Sequence, residues 1–303
     1  DLANRNQLVG FIDANLRGAG QVFFQDNPWT GLVILVAIFW GAHSAGNLNV
    51  GYGAVAGLVV STATAMLLRA DGASLKQGLF GLNGILVGVA VPTFLAPHPA
   101  MWVDVVIGAA VSTVLTIGIG NFVKAWGLSG STAPFVFTTW FLLLAAYGLA
   151  RVPIVGMSGA ALPEAASSAD GWPSLTAVFG ILARSIAQVY LIGNAVTGVL
   201  FVVAIAINSL RGAAFAVLGA IVSLVVAVGF GANGAATSAG LYGFSAVLTA
   251  MAVGAVFNRP SVGVTFYAIF ATIVTVIVQG ALNTALSPMG IPTLTFPYVL
   301  TMW

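Results

Sequence analysis

The sequence predicts an all-α integral membrane protein built from two inverted repeats, each with five transmembrane helices and one re-entrant helix. Three observations support this fold class: an apolar composition, long segments without charge, and three sequence blocks that each occur twice. The 303 residues are 59% hydrophobic and 5% charged. Soluble domains carry about 25% charged residues. The composition therefore excludes an ordinary soluble domain.

Long segments without charged residues indicate many membrane spans. Asp, Glu, Lys and Arg do not occur in residues 27–68, 125–150, 212–258 and 260–303. A spanning helix needs about 20 predominantly apolar residues, so several of these segments can hold two spans each. They are too many and too long to be the buried core helices of a soluble protein.

The composition also excludes several kinds of chemistry. The chain has no cysteine, which excludes disulfides, thiol catalysis and cysteine-based metal sites. Its two histidines, His43 and His98, are too few and too far apart in sequence for a metal cluster. No nucleophile and base can be paired, and a net charge of +2 gives no indication of nucleic-acid binding. We therefore expect no enzyme, and no cofactor, metal or nucleic acid as a partner.

Three blocks of sequence occur twice in the same order. The matched ranges are 20–31 with 187–198, 78–86 with 240–248, and 126–140 with 289–303. Each pair shares residue types in register, and the separation between partners is nearly the same for all three pairs. A near-constant separation over the whole chain indicates the duplication of one helical unit.

Each repeat is predicted to contain five spans. In the first repeat, residues 1–150, the spans cover roughly 22–43, 50–68, 83–96, 102–122 and 133–150, and the polar residues 1–20 precede them. In the second repeat, residues 176–303, they cover roughly 186–208, 213–230, 245–257, 262–281 and 293 onward. A polar linker is predicted over residues 151–175.

Two further features complete the predicted repeats. The segment from Ser74 to Leu82 is too short and too rich in glycine to cross the membrane, which predicts a re-entrant helix before the third span. Trp303 is the partner of Trp140, after which the first repeat continues to Ala150. The end of the final helix is therefore expected to lie beyond Trp303.

The basic residues predict the orientation of the chain. Five spans are an odd number, so the second repeat is expected to be inverted. With the N-terminus inside, two basic residues, Arg151 and Arg184, fall outside, and the others fall on the cytoplasmic side. These others are Arg5, Arg17, Arg69, Lys76, Lys124, Arg211 and Arg259. This bias follows the positive-inside rule and predicts that both termini are cytoplasmic.

The polarity of the spans favours a neutral solute. Inverted repeats place a solute site near the middle of the membrane, at the interface of the repeats. No acidic residue lies deep in a predicted span, since Asp26 and Asp104 occur at span starts. Coupling to protons or ions usually needs ionisable groups inside the membrane. Passive movement of the solute is therefore expected.

Polar side chains recur at equivalent positions of the two repeats. The pairs are Gln21 and Gln188, Asn27 and Asn194, Thr30 and Thr197, and Thr132 and Thr295. The two asparagines begin apolar runs, so we expect them to cap helices or satisfy backbone groups. The Gln and Thr oxygens stand among apolar and aromatic residues. Such acceptors in a narrow apolar slot would suit a flat, uncharged molecule with N–H donors.

The repeated motifs resemble those of the urea transporter family. They are Gln-Val-x-x-x-x-Asn-x-x-x-Gly, Gly-Leu-x-Gly-x-Asn/Ser-x-x-Leu, and forms of the signature Leu-Pro-x-x-Thr-x-Pro-Phe, each present twice. The signature covers residues 128–135, where its first proline is missing, and residues 291–298. The resemblance extends over nearly the whole chain and is to the compact bacterial form.

The resemblance implies a homotrimer in the bacterial inner membrane, in contact with lipid, with one urea pore in each protomer. Each pore would have two wider binding sites and a narrow middle. In the narrow middle, Thr132 and Thr295 would offer hydroxyl oxygens, and Leu86 and Leu248 would form apolar walls.

The same resemblance assigns residues to the wider sites. Toward the outside these are Gln188, Val189 and Leu82. Toward the inside they are Gln21, Val22 and Phe244. Phe24 and Leu191 are further candidates for apolar residues that face the pore.

The residues leave other functions open. A second interpretation is another neutral-solute channel, for water, glycerol, ammonia or short amides, and a third is a coupled secondary transporter. Aquaporin-type pores are expected to have paired Asn-Pro-Ala loops. This chain has one Asn-Pro, at Asn27, and its partner in the second repeat is Asn194-Ala195.

Overall fold

The computed structural model describes residues 6–165 and 171–303, which form an all-α fold. Extended segments pair in these ranges only at an isolated bridge between Leu95 and Ile154. The predicted all-α class is confirmed, and the inverted repeats with their spans and re-entrant helices stay predictions. Arg5 and residues 166–170 of the predicted linker lie outside the described residues. The chain divides into two compact units, Asp1–Met157 and Ser158–Trp303, and the division lies within the predicted linker.

The first unit contains seven α-helices in its described residues. They are α1 (Gln7–Gln21), α2 (Pro28–Ser44), α3 (Asn49–Leu67), α4 (Gly72–Lys76), α5 (Gly81–Phe94), α6 (Pro99–Val123) and α7 (Ala133–Ala146). A 3-10 turn, Lys124–Trp126, extends α6. Helix α5 is almost entirely buried and packs against α1, α3, α6 and α7, so it is the central helix of this unit.

The second unit also contains seven α-helices in its described residues. They are α8 (Leu175–Ala187), α9 (Ala195–Asn208), α10 (Leu210–Gly229), α11 (Gly234–Ser238), α12 (Phe244–Met251), α13 (Val262–Leu286) and α14 (Phe296–Met302). Short 3-10 turns, Gln188–Tyr190 and Ser287–Met289, extend α8 and α13, and a π-helical turn, Ala252–Val256, extends α12. Helix α12 is fully buried and packs against α8, α10, α13 and α14.

Unusual backbone conformations recur at equivalent positions of the two units. A positive φ is uncommon outside glycine and costs about 1–2 kcal/mol for other residues. The equivalent pairs with positive φ are Phe24 and Leu191, Arg69 and Gly231, Gly78 and Gly240, Gly127 and Gly290, and Ser131 and Leu294. A duplicated helical unit would produce this recurrence. The inversion of the second repeat stays a prediction.

Several helices are long and apolar enough to cross a membrane. In the described residues there are four such segments: Asn49–Leu67, Pro99–Trp126, Leu210–Gly229 and Val262–Met289. Leu175–Tyr190 and Ala195–Asn208 pass the same test together, but they are bent by 74°. Other apolar helices are shorter; α5, with 14 residues, reaches about 21 Å, whereas the hydrocarbon core is about 30 Å thick. The chain is therefore a multi-pass membrane protein, and five spans in each repeat stay a prediction.

The first predicted span of each repeat is interrupted. The chain turns at Phe24, where φ is 60°, and a new helix starts after Asn27. In the second unit it turns at Leu191, where φ is 58°, and a new helix starts after Asn194. The spans predicted over 22–43 and 186–208 therefore each contain a break, which was not predicted because an apolar run does not reveal a left-handed residue between two helices.

Helix α1 lies in the polar residues 1–20, where no helix was predicted. It begins after Asn6, whose Oδ1 accepts a hydrogen bond from the Leu8 N–H at 2.9 Å. Helix α2 packs closely on it, since a Cβ at Gly31 would overlap the carbonyl oxygen of Leu16. The small residue Gly31 thus lets α2 pack closely against α1, and this packing makes the polar segment part of the folded unit.

The helix found near the predicted re-entrant segment is shorter than expected and starts earlier, and its re-entrant nature stays a prediction. Helix α4 covers Gly72–Lys76, whereas the prediction was residues 74–82. The chain then turns at Gly78, where φ is 75°, and α5 begins at Gly81. Gly78 ends the short helix because this left-handed conformation cannot continue it. The second unit repeats the arrangement with α11 and Gly240.

The cap of α4 gives a prediction on pH. The Ser74 N–H donates to the Asp71 carboxylate at 2.8 Å, and this bond lowers the pKa of Asp71 below its usual value. A lowered pKa in the folded state stabilises α4 above the unfolded pKa of about 3.9. We expect this stabilisation to be lost as pH falls through the folded pKa. Amide hydrogen exchange of Ser74 and Leu75 should then show less protection at pH 3 than at pH 5.

The second unit provides an internal control for this measurement. Asn233 occupies the equivalent position, and its neutral side chain accepts from the Ala236 N–H at 2.9 Å. Protection of α11 should not change with pH over this range, and Asp71→Asn should make α4 behave like α11. An equal loss of protection in both helices at pH 3 would contradict the assignment to Asp71.

Candidate functional site

The break after α1 carries three predicted site residues. Gln21 is the last residue of α1, Val22 is buried directly after it, and Phe24 adopts the left-handed turn. The Gln21 Nε2 donates to the carbonyl oxygen of Gln77 at 2.8 Å. Since Gln77 follows α4 directly, this bond joins the break to the turn between α4 and α5.

A charged cluster joins the two sides of the same break. Arg17 on α1 pairs with Asp13 one turn earlier, at 2.6 Å. It also pairs with the carboxylate of Asp26, at 2.6 Å, beyond the break. Asn27 then caps α2, since its Oδ1 accepts from the Trp29 N–H at 2.8 Å. The prediction that Asn27 has a capping role is confirmed.

Helix α5 carries two further predicted apolar residues of this unit. Leu82 and Leu86 are four residues apart, so they lie on the same face of the helix. Leu86 is fully buried and Leu82 is half-buried. Helix α5 packs against both α1 and α7, and its leucine face therefore belongs to the same helix cluster as the break and the turn before α7.

Thr132 lies in the turn that starts α7. It is 3% exposed, it follows Ser131, where φ is 45°, and Pro134 stands in the first turn of the helix. The side chain of Asn83 on α5 binds the backbone of this turn through two hydrogen bonds. Its Nδ2 donates to the Ser131 carbonyl and its Oδ1 accepts from the Phe135 N–H, both at 3.1 Å.

A cavity of about 500 Å³ opens beside this turn. Its lining includes Leu82, Asn83, Ser131 and Pro134, together with polar side chains from the loop before α4 and from the end of α6. Of the predicted site residues, Leu82 lines this cavity. The cavity offers amide and hydroxyl groups, and the charged Arg69 and Asp71, beside an apolar wall.

The second unit builds an equivalent break. The Gln188 Nε2 donates to the Ala239 carbonyl at 3.1 Å, which is the counterpart of the bond between Gln21 and Gln77. Val189 is buried, and Leu191 adopts the left-handed turn. Asn194 caps α9, since its Oδ1 accepts from the Thr197 N–H at 3.0 Å. The expected capping role of Asn194 is confirmed as well.

Helix α12 and the turn before α14 complete the second set. Phe244 and Leu248 are buried and four residues apart, so they lie on the same face of α12. Thr295 is 2% exposed and follows Leu294, where φ is 50°. The side chain of Gln279 on α13 donates to the Thr293 hydroxyl in this turn at 2.7 Å.

Each unit thus has a glutamine at a helix break, an apolar pair on its central helix, and a threonine before a proline. Helix α5 packs against α1 and α7 in the first unit, and α12 packs against α8 and α14 in the second. The candidate residues were predicted from the sequence, but the groups that hold them were not. Asn83 lies inside a repeated block, yet the equivalent residue is Ser245, and this difference obscured its role.

The described part of the chain does not contain a cluster of side chains suited to a metal ion. In these residues no group of three or more His, Asp or Glu side chains could hold a metal ion. The charged cluster of Arg17, Asp13 and Asp26 is a set of ion pairs that joins α1 to α2. The polar side chains among the predicted site residues are the amides of Gln21 and Gln188 and the hydroxyls of Thr132 and Thr295.

Comparisons with known proteins cover nearly the whole chain. Residues 12–303 match the family model described as Urea transporter. Urea transporter 1 of Ovis aries is 27% identical over 309 residues, which cover 99% of this chain and 77% of the relative. Urea transporter 1 of Rattus norvegicus is 28% identical over 265 residues, which cover 84% of this chain and 66% of the relative.

Proposed function

Because the chain belongs to the urea transporter family, we propose that it conducts urea passively through a narrow slot with oxygen acceptors and apolar walls. The family match over residues 12–303 carries this proposal, since it includes every candidate site residue. The family is one of channel-type transporters and not of enzymes.

The chemistry of the candidate residues suits urea. Urea is flat and uncharged, and its four N–H groups lose hydrogen bonds to water when it enters an apolar slot. An amide group that is buried without partners costs several kcal/mol, so the slot has to supply acceptors. The hydroxyls of Thr132 and Thr295 and the side-chain oxygens of Gln21 and Gln188 are of this kind. The buried Leu86 and Leu248 supply apolar surface for the faces of the solute.

The scarcity of acidic residues in the long helices favours passive movement of the solute. In the four long helical segments, Asp104 is the one acidic residue, and it lies in the second turn of α6. Proton- and ion-coupled transporters usually carry ionisable groups deep inside the membrane. A hydrated ion would also lose its water shell in an apolar slot without a charged partner, at a high cost in free energy. A neutral solute avoids this cost.

The assembly and placement of the protein are part of the same proposal. We infer a homotrimer in the inner membrane of a bacterium, with membrane lipid around it and one slot in each protomer. Both termini lie in the cytoplasm, as the basic residues predict. Urea is the solute partner.

Stopped-flow measurements on proteoliposomes test the function. Vesicles with the protein should shrink and refill with urea faster than empty vesicles, at a rate that does not depend on a proton or sodium gradient. Glycerol and water fluxes are measured in the same vesicles, and fluxes as high as that of urea would indicate a general neutral-solute pore. Urea flux equal to that of empty vesicles would exclude the proposal, and a flux that requires an ion gradient would indicate a coupled transporter.

A further inference from the structure

We propose that Asn83 positions Thr132 and thereby sets solute selectivity, whereas Gln279 supports Thr295 from a different helix. The inference rests on the proposed function, because it concerns the discrimination between urea and related solutes. Asn83 acts through the turn before α7, and it is a positioning residue. The two threonines, although equivalent in sequence, would then depend on unrelated neighbours.

Asn83 binds the backbone before and after Thr132. Asn83 is fully buried on α5, and it binds the Ser131 carbonyl and the Phe135 N–H. These two backbone groups precede and follow Thr132 in the chain. The Phe135 N–H belongs to the first turn of α7, where backbone donors have no partner inside the helix. One side chain therefore fixes both ends of the short segment that carries the threonine hydroxyl.

A third hydrogen bond fixes Asn83 itself. Its Nδ2 also donates to the Thr116 hydroxyl on α6 at 3.1 Å, and that hydroxyl donates to the Ser112 carbonyl at 2.7 Å. The amide thus has partners on two neighbouring helices. A buried amide with all its partners in place is held in one orientation, and so is the turn that it binds.

The second unit supports its threonine in another way. Ser245 stands at the position equivalent to Asn83, and its buried hydroxyl has no hydrogen-bond partner among the described residues. Gln279 stands at the position equivalent to Thr116, and it binds the Thr293 hydroxyl two residues before Thr295. Gln279 also donates to Asn283 on its own helix at 2.9 Å. The support comes from α13 in this unit, and from α5 in the first.

This difference has a consequence for selectivity. A hydroxyl that must replace water around an N–H group loses most of its effect when it is displaced by about 1 Å. Loosening the turn before α7 should therefore weaken the interaction with urea at Thr132. It should also admit solutes of another shape more readily. The turn before α14 should keep its geometry, because its Thr293 hydroxyl accepts from Gln279 of its own unit.

The test is Asn83→Ser, which introduces the residue of the second unit. Urea and N-methylurea fluxes are measured in proteoliposomes, together with the thermal stability of the purified protein. We expect urea flux to fall about fivefold, and the ratio of urea to N-methylurea flux to fall about threefold, since one or two hydrogen bonds to the turn are lost. An unchanged ratio in a folded variant would overturn the proposal.

Thr93→Val is the matched control on the same helix. The Thr93 hydroxyl donates to the Val89 carbonyl at 2.7 Å, so this variant also removes a hydrogen bond of α5, but not one to the turn. It should keep the parental flux ratio. An equal fall in the ratio for Thr93→Val would overturn the proposal, because it would assign the effect to the stability of α5 in general.

A transplant tests the second half of the proposal. The triple variant Asn83→Ser, Thr116→Gln, Gly130→Thr reproduces the support found in the second unit, with Gly130 at the position equivalent to Thr293. A Cβ at Gly130 would meet neighbours at 3.5 Å, an ordinary contact. We expect the triple variant to regain the parental flux ratio. A folded triple variant with the ratio of Asn83→Ser would overturn the role given to Gln279.

A second variant and the parental protein separate the possible outcomes of these flux measurements. If Asn83→Ser does not fold, Asn83→Leu, which has a similar size and loses all three hydrogen bonds of the amide, takes its place with the same expected fall in the ratio. Parental protein that does not conduct urea would contradict the proposed function. Parental protein that conducts urea, with Asn83 variants that keep its ratio, would contradict this inference alone.

Discussion

Replacing Thr132 or Thr295 with valine should lower urea flux by about tenfold. Valine matches the shape of threonine but offers no acceptor, so a urea N–H group that has lost its water would have no partner at that point. The loss of one such hydrogen bond raises the barrier by about 1–2 kcal/mol, which corresponds to roughly 5–30-fold in rate. Stopped-flow flux in proteoliposomes measures the effect, and the double variant should conduct less than either single variant.

The control for these variants is Thr64→Val. The Thr64 hydroxyl donates to the Val60 carbonyl of its own helix at 2.7 Å, and the variant removes a hydroxyl outside the candidate site. It should conduct urea at the parental rate. If Thr132→Val and Thr295→Val also conduct at that rate while folding normally, the two threonines do not line the narrow part of the slot.

Gly78→Ala should destabilise the protein by on the order of 3 kcal/mol or more. Gly78 has a φ of 75°, a conformation that alanine adopts only with strain. A Cβ at this position would also overlap backbone atoms of α1, at Gly18 and Ala14. Because the preceding Gln77 carbonyl accepts from Gln21, the displaced turn should also reduce urea flux. Thermal inactivation of the purified protein and flux in proteoliposomes measure the two effects.

Gly127→Ala separates the two causes. Gly127 has a φ of 70°, but a Cβ there would have no neighbour within 4 Å. This variant should cost about 1–2 kcal/mol from backbone strain alone. The difference between the two variants then gives the contribution of the close contact with α1. Similar losses for both would show that α1 gives way to the added methyl group.

The sequence predicted the features that depend on composition and on local chemistry. Membrane insertion follows from the apolar segments without charge, and the capping by Asn27 and Asn194 follows from the position of an asparagine before an apolar run. The duplication pointed to Gln21 and Gln188 as a pair, and both donate to the carbonyl of the residue before a left-handed glycine. These inferences need only neighbours in the chain or a comparison of the two halves.

The sequence could not predict the backbone breaks. Phe24 and Leu191 are ordinary apolar residues whose preference is for helix or strand, yet both adopt a positive φ. Contacts distant in the chain accompany this conformation in both units, since Gln21 and Gln188 bind carbonyls more than fifty residues further along. Helix α1 was missed for the same reason, since its polar sequence becomes part of the fold through its contact with Gly31.

The sequence also could not predict the residues that bind the turns of the candidate site, Asn83 and Gln279. Asn83 contacts residues about fifty positions further along the chain, and Gln279 contacts a turn that lies beyond the end of its helix. Neither contact is local, and the equivalent residues in the two repeats differ. Repetition identifies what the two halves share, and it cannot identify a contact that each half makes in its own way.

The breaks at Phe24 and Leu191 also have an electrical consequence. A helix carries roughly half a negative elementary charge at its C-terminal end and half a positive one at its N-terminal end. At each break the end of one helix is followed within a few residues by the start of the next, and in the second unit the two axes diverge by 74°. The opposite partial charges nearly cancel at a distance but leave a strong field nearby. Such a field orients a polar molecule that comes close to the break, and it fades within a few ångströms because the two partial charges offset each other.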